Sequence, residues 1–116
     1  MTIREFYDSI GADYDNVLAR FGSEKMITKF AKRFADDRTF QDLCAAVENG
    51  NAQEAFRMAH TLKGICSNLG FDGLYRASYD LTEDLRGGEL SGYEQDYERV
   101  CETYKVVSDA VAKIDV

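Results

Sequence analysis

The sequence predicts an all-α chain, an antiparallel up-down four-helix bundle with a short N-terminal helical extension. Three observations carry this. Proline is absent, and the nine glycines fall mostly at breaks between apolar runs. Apolar residues recur at steps of three and four over long stretches, the period of a helix with one buried face, and no stretch alternates as a strand would. Four long amphipathic segments with short connections bury their stripes most simply against one another.

The elements follow in order. Thr2 and Glu5 make a capping box for a short first helix ending near Gly11, and a second runs from about Ala12 to Phe21. Gly22 and a capping Ser23 lead into a segment from Glu24 to Glu48, with Met26, Ile27, Phe30, Phe34, Phe40, Leu43 and Val47 as its apolar positions. Asp36-Asp37-Arg38 interrupts that stripe, so a kink or two helices are expected there, and Asn49-Gly50 closes the segment. Asn51 with Glu54 opens the next helix, whose stripe is Ala52, Ala55, Ala59, Leu62, Cys66 and Leu69, with Gly70 at its end. Phe71, Leu74, Ser78, Leu81 and Leu85 draw a further helix, stopped by Gly87-Gly88. Ser91 with Glu94 should cap the last one, where Tyr93, Tyr97, Val100, Tyr104, Val107, Val111 and Ile114 form an apolar seam. Residues 1–116 then read as one domain, 1–22 being the short N-terminal helices and 23–114 the bundle.

Composition bounds the function. Hydrophobic residues make up 45% of the chain and charged residues 30%, a globular balance. A net charge of −7 argues against nucleic acid, whose phosphates call for stripes of lysine and arginine, and gives no reason to adhere to anionic lipid. The N-terminus lacks the apolar core of a signal peptide, and no run approaches the ~20 apolar residues of a membrane span. Cys44, Cys66 and Cys101 lie in or beside helical stripes without a Cys-x-x-Cys pair, and read as reduced thiols of a cytoplasmic protein. A metal site is not expected: inward Glu-x-x-His ligands of a four-helix metalloenzyme are missing.

The chain has one histidine, in the run His60-Thr61-Leu62-Lys63-Gly64-Ile65-Cys66-Ser67-Asn68-Leu69-Gly70. At about 100° per residue, His60 points roughly 140° away from the middle of the apolar stripe and should face solvent. Lys63 and Gly64, three and four residues on, share its face. Imidazole is the one side chain that keeps a neutral nitrogen nucleophile abundant near neutral pH. Beside it stand a cation and a position without a side chain, and glycine inside a helix costs about 1 kcal/mol against alanine. Together they describe a place where a phosphoryl group could be received.

The run His60-Thr-Leu62-Lys63-Gly64 followed by Leu69-Gly70 resembles the motif of histidine phosphotransfer domains, the intermediates of two-component phosphorelays, and the likeness in layout extends over roughly residues 12–114. The resemblance implies that His60 accepts a phosphoryl group from a receiver-domain aspartate and passes it to another receiver. Lys63 would steady the charge and Gly64 leave room for the partner. It implies response-regulator receiver domains and a hybrid histidine kinase as partners, and a monomer with no cofactor of its own, Mg²⁺ being brought by the receiver. No nucleotide-binding loop is present, so the chain is not expected to phosphorylate itself or act as a kinase.

Phe56, Ser67 and Leu69 are candidates for the receiver-docking patch, and Arg57 for added positive charge. On the following helix Tyr75, Tyr79, Thr82 and Arg86 form a flank, from which Thr82 or Arg86 could touch the phosphoryl group. Two alternatives stay open: the phosphoacceptor domain of a chemotaxis-type or hybrid kinase, and a four-helix adaptor that binds without phosphorylation. The initial Met1 and an end just past the last apolar position favour a free-standing relay protein over a cut-out domain.

Overall fold

The computed structural model describes residues 1–115, and most of them lie in helices. In chain order they are α1 (Ile3–Ser9), α2 (Tyr14–Phe21), α3 (Glu24–Arg33), α4 (Thr39–Glu48), α5 (Ala52–Leu69), α6 (Asp72–Leu85) and α7 (Glu94–Val111). A single 3₁₀ turn, Phe34–Asp36, joins α3 to α4. No strand occurs among the described residues. The interruption at Asp36-Asp37-Arg38 is therefore a full break, and the 24–48 segment is two ten-residue helices.

Local chemistry sets most of the ends. Thr2 and Glu5 form the complete capping box, each side chain bonded to the other's backbone N–H. Asp13 caps α2, so that helix starts at Tyr14 rather than Ala12, and Ser23 caps α3. Asn51 accepts from the Glu54 N–H, but the Glu54 carboxylate turns to Arg57 instead of closing the box. Ser91 does not cap α7. Gly92 takes a left-handed turn (φ 68°), which leaves Ser91 outside the helix, and Tyr93 holds the cap position without a side-chain bond.

α4 packs on α5, α5 on α6 and α6 on α7, while α1, α2 and α3 gather around one end of the bundle. The expected stripes supply most of the core: Leu43 from α4, Ala55, Ala59, Leu62 and Cys66 from α5, Leu74, Leu81 and Leu85 from α6, and Val100 and Val107 from α7. Ala46, outside the expected stripe, joins them in place of the half-buried Val47, and Met26 is exposed. Burying each leucine is worth about 1.5–3 kcal/mol. The tyrosines of α7 are half-buried against this core, and Tyr104 stacks on Phe40 with ring centroids 3.9 Å apart. The three cysteines are free thiols, Cys66 buried and the other two half-buried.

Gly70 places the N-terminal helices. Its left-handed backbone (φ 72°) ends α5 and delivers Phe71 into an aromatic hub with Phe6, Tyr7 and Phe34, at centroid distances of 5.6, 5.9 and 5.2 Å. The buried Tyr7 hydroxyl donates to the Leu69 carbonyl at 2.6 Å. The C-terminal end of α5 is thus fixed from two sides. The helix so anchored carries the histidine nine residues earlier.

Candidate functional site

His60 is exposed near the middle of α5, on the side opposite the stripe Ala55, Ala59, Leu62 and Cys66. One turn before it, Phe56 is half-buried, its ring packed against the core and lying nearly parallel to the imidazole (19°) with centroids 6.2 Å apart. Phe56 therefore borders the core and the histidine at once. Gly64, one turn after, has ordinary helical geometry and is exposed, and a Cβ built there meets nothing within 4 Å. No neighbouring helix needs that gap. It opens directly beside the imidazole.

Two contacts cross the seam between α5 and α6. The Arg86 guanidinium lies 5.5 Å from the centre of the Phe56 ring, and the Lys63 ammonium 5.2 Å from the centre of the Tyr79 ring. Seven residues forward on α5 correspond to seven backward on α6, as antiparallel neighbours require. Each helix supplies the ring in one pair and the cation in the other. His60 lies between the two pairs.

The three cations near His60 are not equivalent. Arg57 is held by Glu54 through two hydrogen bonds, of 3.1 and 2.7 Å. That hydrogen bonding pulls the Glu54 carboxyl below its ordinary range and raises the guanidinium of the exposed Arg57. Arg86 donates to Glu83 at 2.6 Å. Lys63 is half-buried and has no carboxylate partner among the described residues. It is the unpaired positive charge closest in sequence to His60.

Three of the residues singled out from sequence are placed differently from expectation. Leu69 is only 7% exposed and lies half a turn around α5 from His60. It forms part of a groove of about 470 Å³ with Phe30, Phe34 and Ile65, so it belongs to the core and that groove, not to a patch around the histidine. Thr82 occupies the stretch of α6 opposite His60, but its hydroxyl is buried and donates to the Ser78 carbonyl at 2.6 Å, which removes it as a phosphoryl contact. Arg57 shares the exposed face but is already occupied by Glu54. Ser67 is exposed two turns beyond His60 on the same side, and its carbonyl accepts from Arg20 at 3.3 Å. Tyr79, which the flank on α6 included without a role, proves to carry the Lys63 ammonium. The Glu54–Arg57 and Glu83–Arg86 pairs were readable as i,i+3 spacings.

A helical bundle that exposes one histidine at mid-helix, with a lysine three residues on and an open glycine beyond it, has the makings of a module that carries a phosphoryl group on imidazole. The family model described as Hpt domain matches residues 26–114. The chain belongs to the Hpt family, whose domains serve histidine phosphotransfer in phosphorelays and have no kinase activity of their own. Neither the curated proteins nor the solved structures contained a match. Among the described residues, no helix is long and apolar enough to cross a membrane.

Proposed function

We propose that this protein is a phosphorelay intermediate: His60 accepts a phosphoryl group from the aspartate of one receiver domain and delivers it to the aspartate of another. The observation that carries this is the conjunction at mid-α5 of an exposed imidazole, a lysine free of carboxylates and an open glycine.

The chemistry asks little of the domain. Phosphoryl transfer runs in line through a loose transition state, so positioning and charge stabilisation do most of the work. The neutral imidazole nitrogen bonds to phosphorus while the bond from phosphorus to the receiver's carboxylate oxygen breaks. The carboxylate leaves with its electron pair, and the imidazolium sheds the proton on its other nitrogen to water. The onward step reverses this with a second aspartate. In this reading Mg²⁺ and the acidic pocket belong to the receiver, and the domain needs no cofactor of its own. Lys63 faces the developing negative charge on the phosphoryl oxygens. Gly64, Phe56 and Ser67 line the approach, and Arg86 stands at its edge over the Phe56 ring.

The test is a transfer assay. A panel of phosphorylated receiver domains is offered to the purified protein, and label is expected on it that is labile to acid and stable to base. Label that is stable to acid, or that persists in His60→Gln, refutes the reading.

A further inference from the structure

Tyr79 exposes 43% of its surface on α6. Its ring is backed by Tyr75, 6.2 Å away, and faces the Lys63 ammonium at 5.2 Å, inside the ~6 Å over which a cation is drawn to an aromatic face. The carboxylates flanking it on α6 are both taken. Asp80 accepts from Arg99 at 3.0 Å, and Glu83 from Arg86 at 2.6 Å. In a chain with a net charge of −7, the lysine beside the histidine is left with an aromatic face in place of an anion.

We infer that Tyr79 is a positioning residue for phosphotransfer: its ring holds the Lys63 ammonium beside His60 while the imidazole is free, and keeps it there as the phosphoryl group arrives. This rests on the phosphotransfer reading of His60. A carboxylate in the ring's place would neutralise the ammonium and compete with the phosphoryl oxygens for it. Bulk water in its place would leave a long, flexible side chain to be gathered at each transfer. The aromatic face does neither: it bears no net charge to neutralise the ammonium, and it leaves N–H groups free to bond the phosphoryl oxygens while the contact persists. No rearrangement is needed for this, since Lys63 already shares the face of His60.

Two readouts test this. In the unphosphorylated protein, the ring should shift the Lys63 Hε protons upfield of those of exposed lysines in the NMR spectrum. Tyr79→Ala should abolish that shift and Tyr79→Phe preserve it. For the transfer itself, phosphoramidate serves as donor: the imidazole nitrogen bonds to phosphorus, the donor's phosphorus–nitrogen bond breaks, and ammonia leaves. Tyr79→Ala should slow labelling of His60 by roughly two- to fivefold, the fold-change that an exposed cation–aromatic contact supports, with Tyr79→Phe restoring the rate. Added to Lys63→Ala, Tyr79→Ala should have no further effect. An equal loss with and without Lys63, an unchanged rate, or Lys63 protons that resonate like those of exposed lysines overturns the inference and leaves His60 as the acceptor. If the unaltered protein takes no label from phosphoramidate or from any receiver, the phosphotransfer reading itself fails, and the role of Tyr79 with it.

Discussion

Gly64 separates access from architecture, because its substitution should strengthen the fold and weaken the function. A Cβ at this position meets nothing within 4 Å, and the backbone is ordinary helix, so alanine enters without strain. Removing a glycine from an exposed helix interior then stabilises by about 0.5–1 kcal/mol, part of it through the unfolded chain. For a domain of this size that is a rise in Tm of about 2–5 °C. Gly64→Gln should gain slightly less, since glutamine is a somewhat poorer helix former than alanine. Its side chain, however, would stand over the face that a receiver must reach to bring its phosphoryl group to His60. Circular-dichroism melts and urea titrations give the stability arm; transfer from a phosphorylated receiver gives the functional arm. The expected pattern is a gain in stability for both variants, a modest loss of transfer for alanine and a far larger one for glutamine. Destabilisation of both would mean that the glycine serves interhelical packing. Normal transfer by both would place the receiver's approach elsewhere and refute the docking face. Gly70→Ala is the contrasting control: its left-handed φ and the overlap of a Cβ with the Val17 side chain should cost about 2–4 kcal/mol.

His60→Gln should leave stability within about 0.5 kcal/mol of the parent, as for other exposed positions, and abolish labelling. Lys63→Ala should slow transfer by roughly ten- to a hundredfold, the equivalent of one charge-assisted hydrogen bond of about 1.5–3 kcal/mol, and an unchanged rate would make it a solvated surface residue. Tyr7→Phe should cost about 1 kcal/mol in urea titrations by orphaning the Leu69 carbonyl, and no change would mean that water replaces the hydroxyl there. Burial, a hydrogen bond with Asp96 and the charges of Asp96 and Asp80 push the Asp84 carboxyl up to about 6. Between about pH 4 and 6 the folded state therefore binds more protons than the unfolded one, and stability falls as pH rises. Asp84→Asn should flatten that slope and raise stability at pH 7 by of order 1 kcal/mol, and an unaltered pH–stability profile would refute the assignment.

The stripes and caps made the helices legible, because helix period and capping chemistry are local properties. The break in the 24–48 segment was visible in its charged interruption, and the outward direction of His60 followed from register alone. What register could not supply was the choice of partners across a helix seam. Arg57 and Arg86 looked available as free cations until Glu54 and Glu83 proved to hold them. Thr82 lay at the right height on α6, but a rotation of that helix carried its hydroxyl inside. Leu69 belonged to the apolar stripe, and proximity in the motif to the histidine outweighed that signal. Ser91 had the residue type and spacing of a cap, yet one left-handed glycine moved the helix start beyond its reach. Lys63 over Tyr79 had no sequence signal beyond two residues on facing flanks.

His60 is the ninth residue of the 18-residue helix α5, as far from either terminus as that helix allows. Phosphate-binding sites commonly sit at the first turn of a helix, where unbonded N–H groups and the end of the macrodipole grip an anion. At mid-helix the backbone N–H groups are committed to carbonyls one turn back and contribute no such grip. A phosphoryl group on His60 would be left to side chains alone, with Lys63 the cation not already engaged by a carboxylate. On the proposed function, the helix midpoint would thus make a poor reservoir and a good waypoint: a cargo held this loosely would be given up to the next aspartate as readily as it was taken from the last.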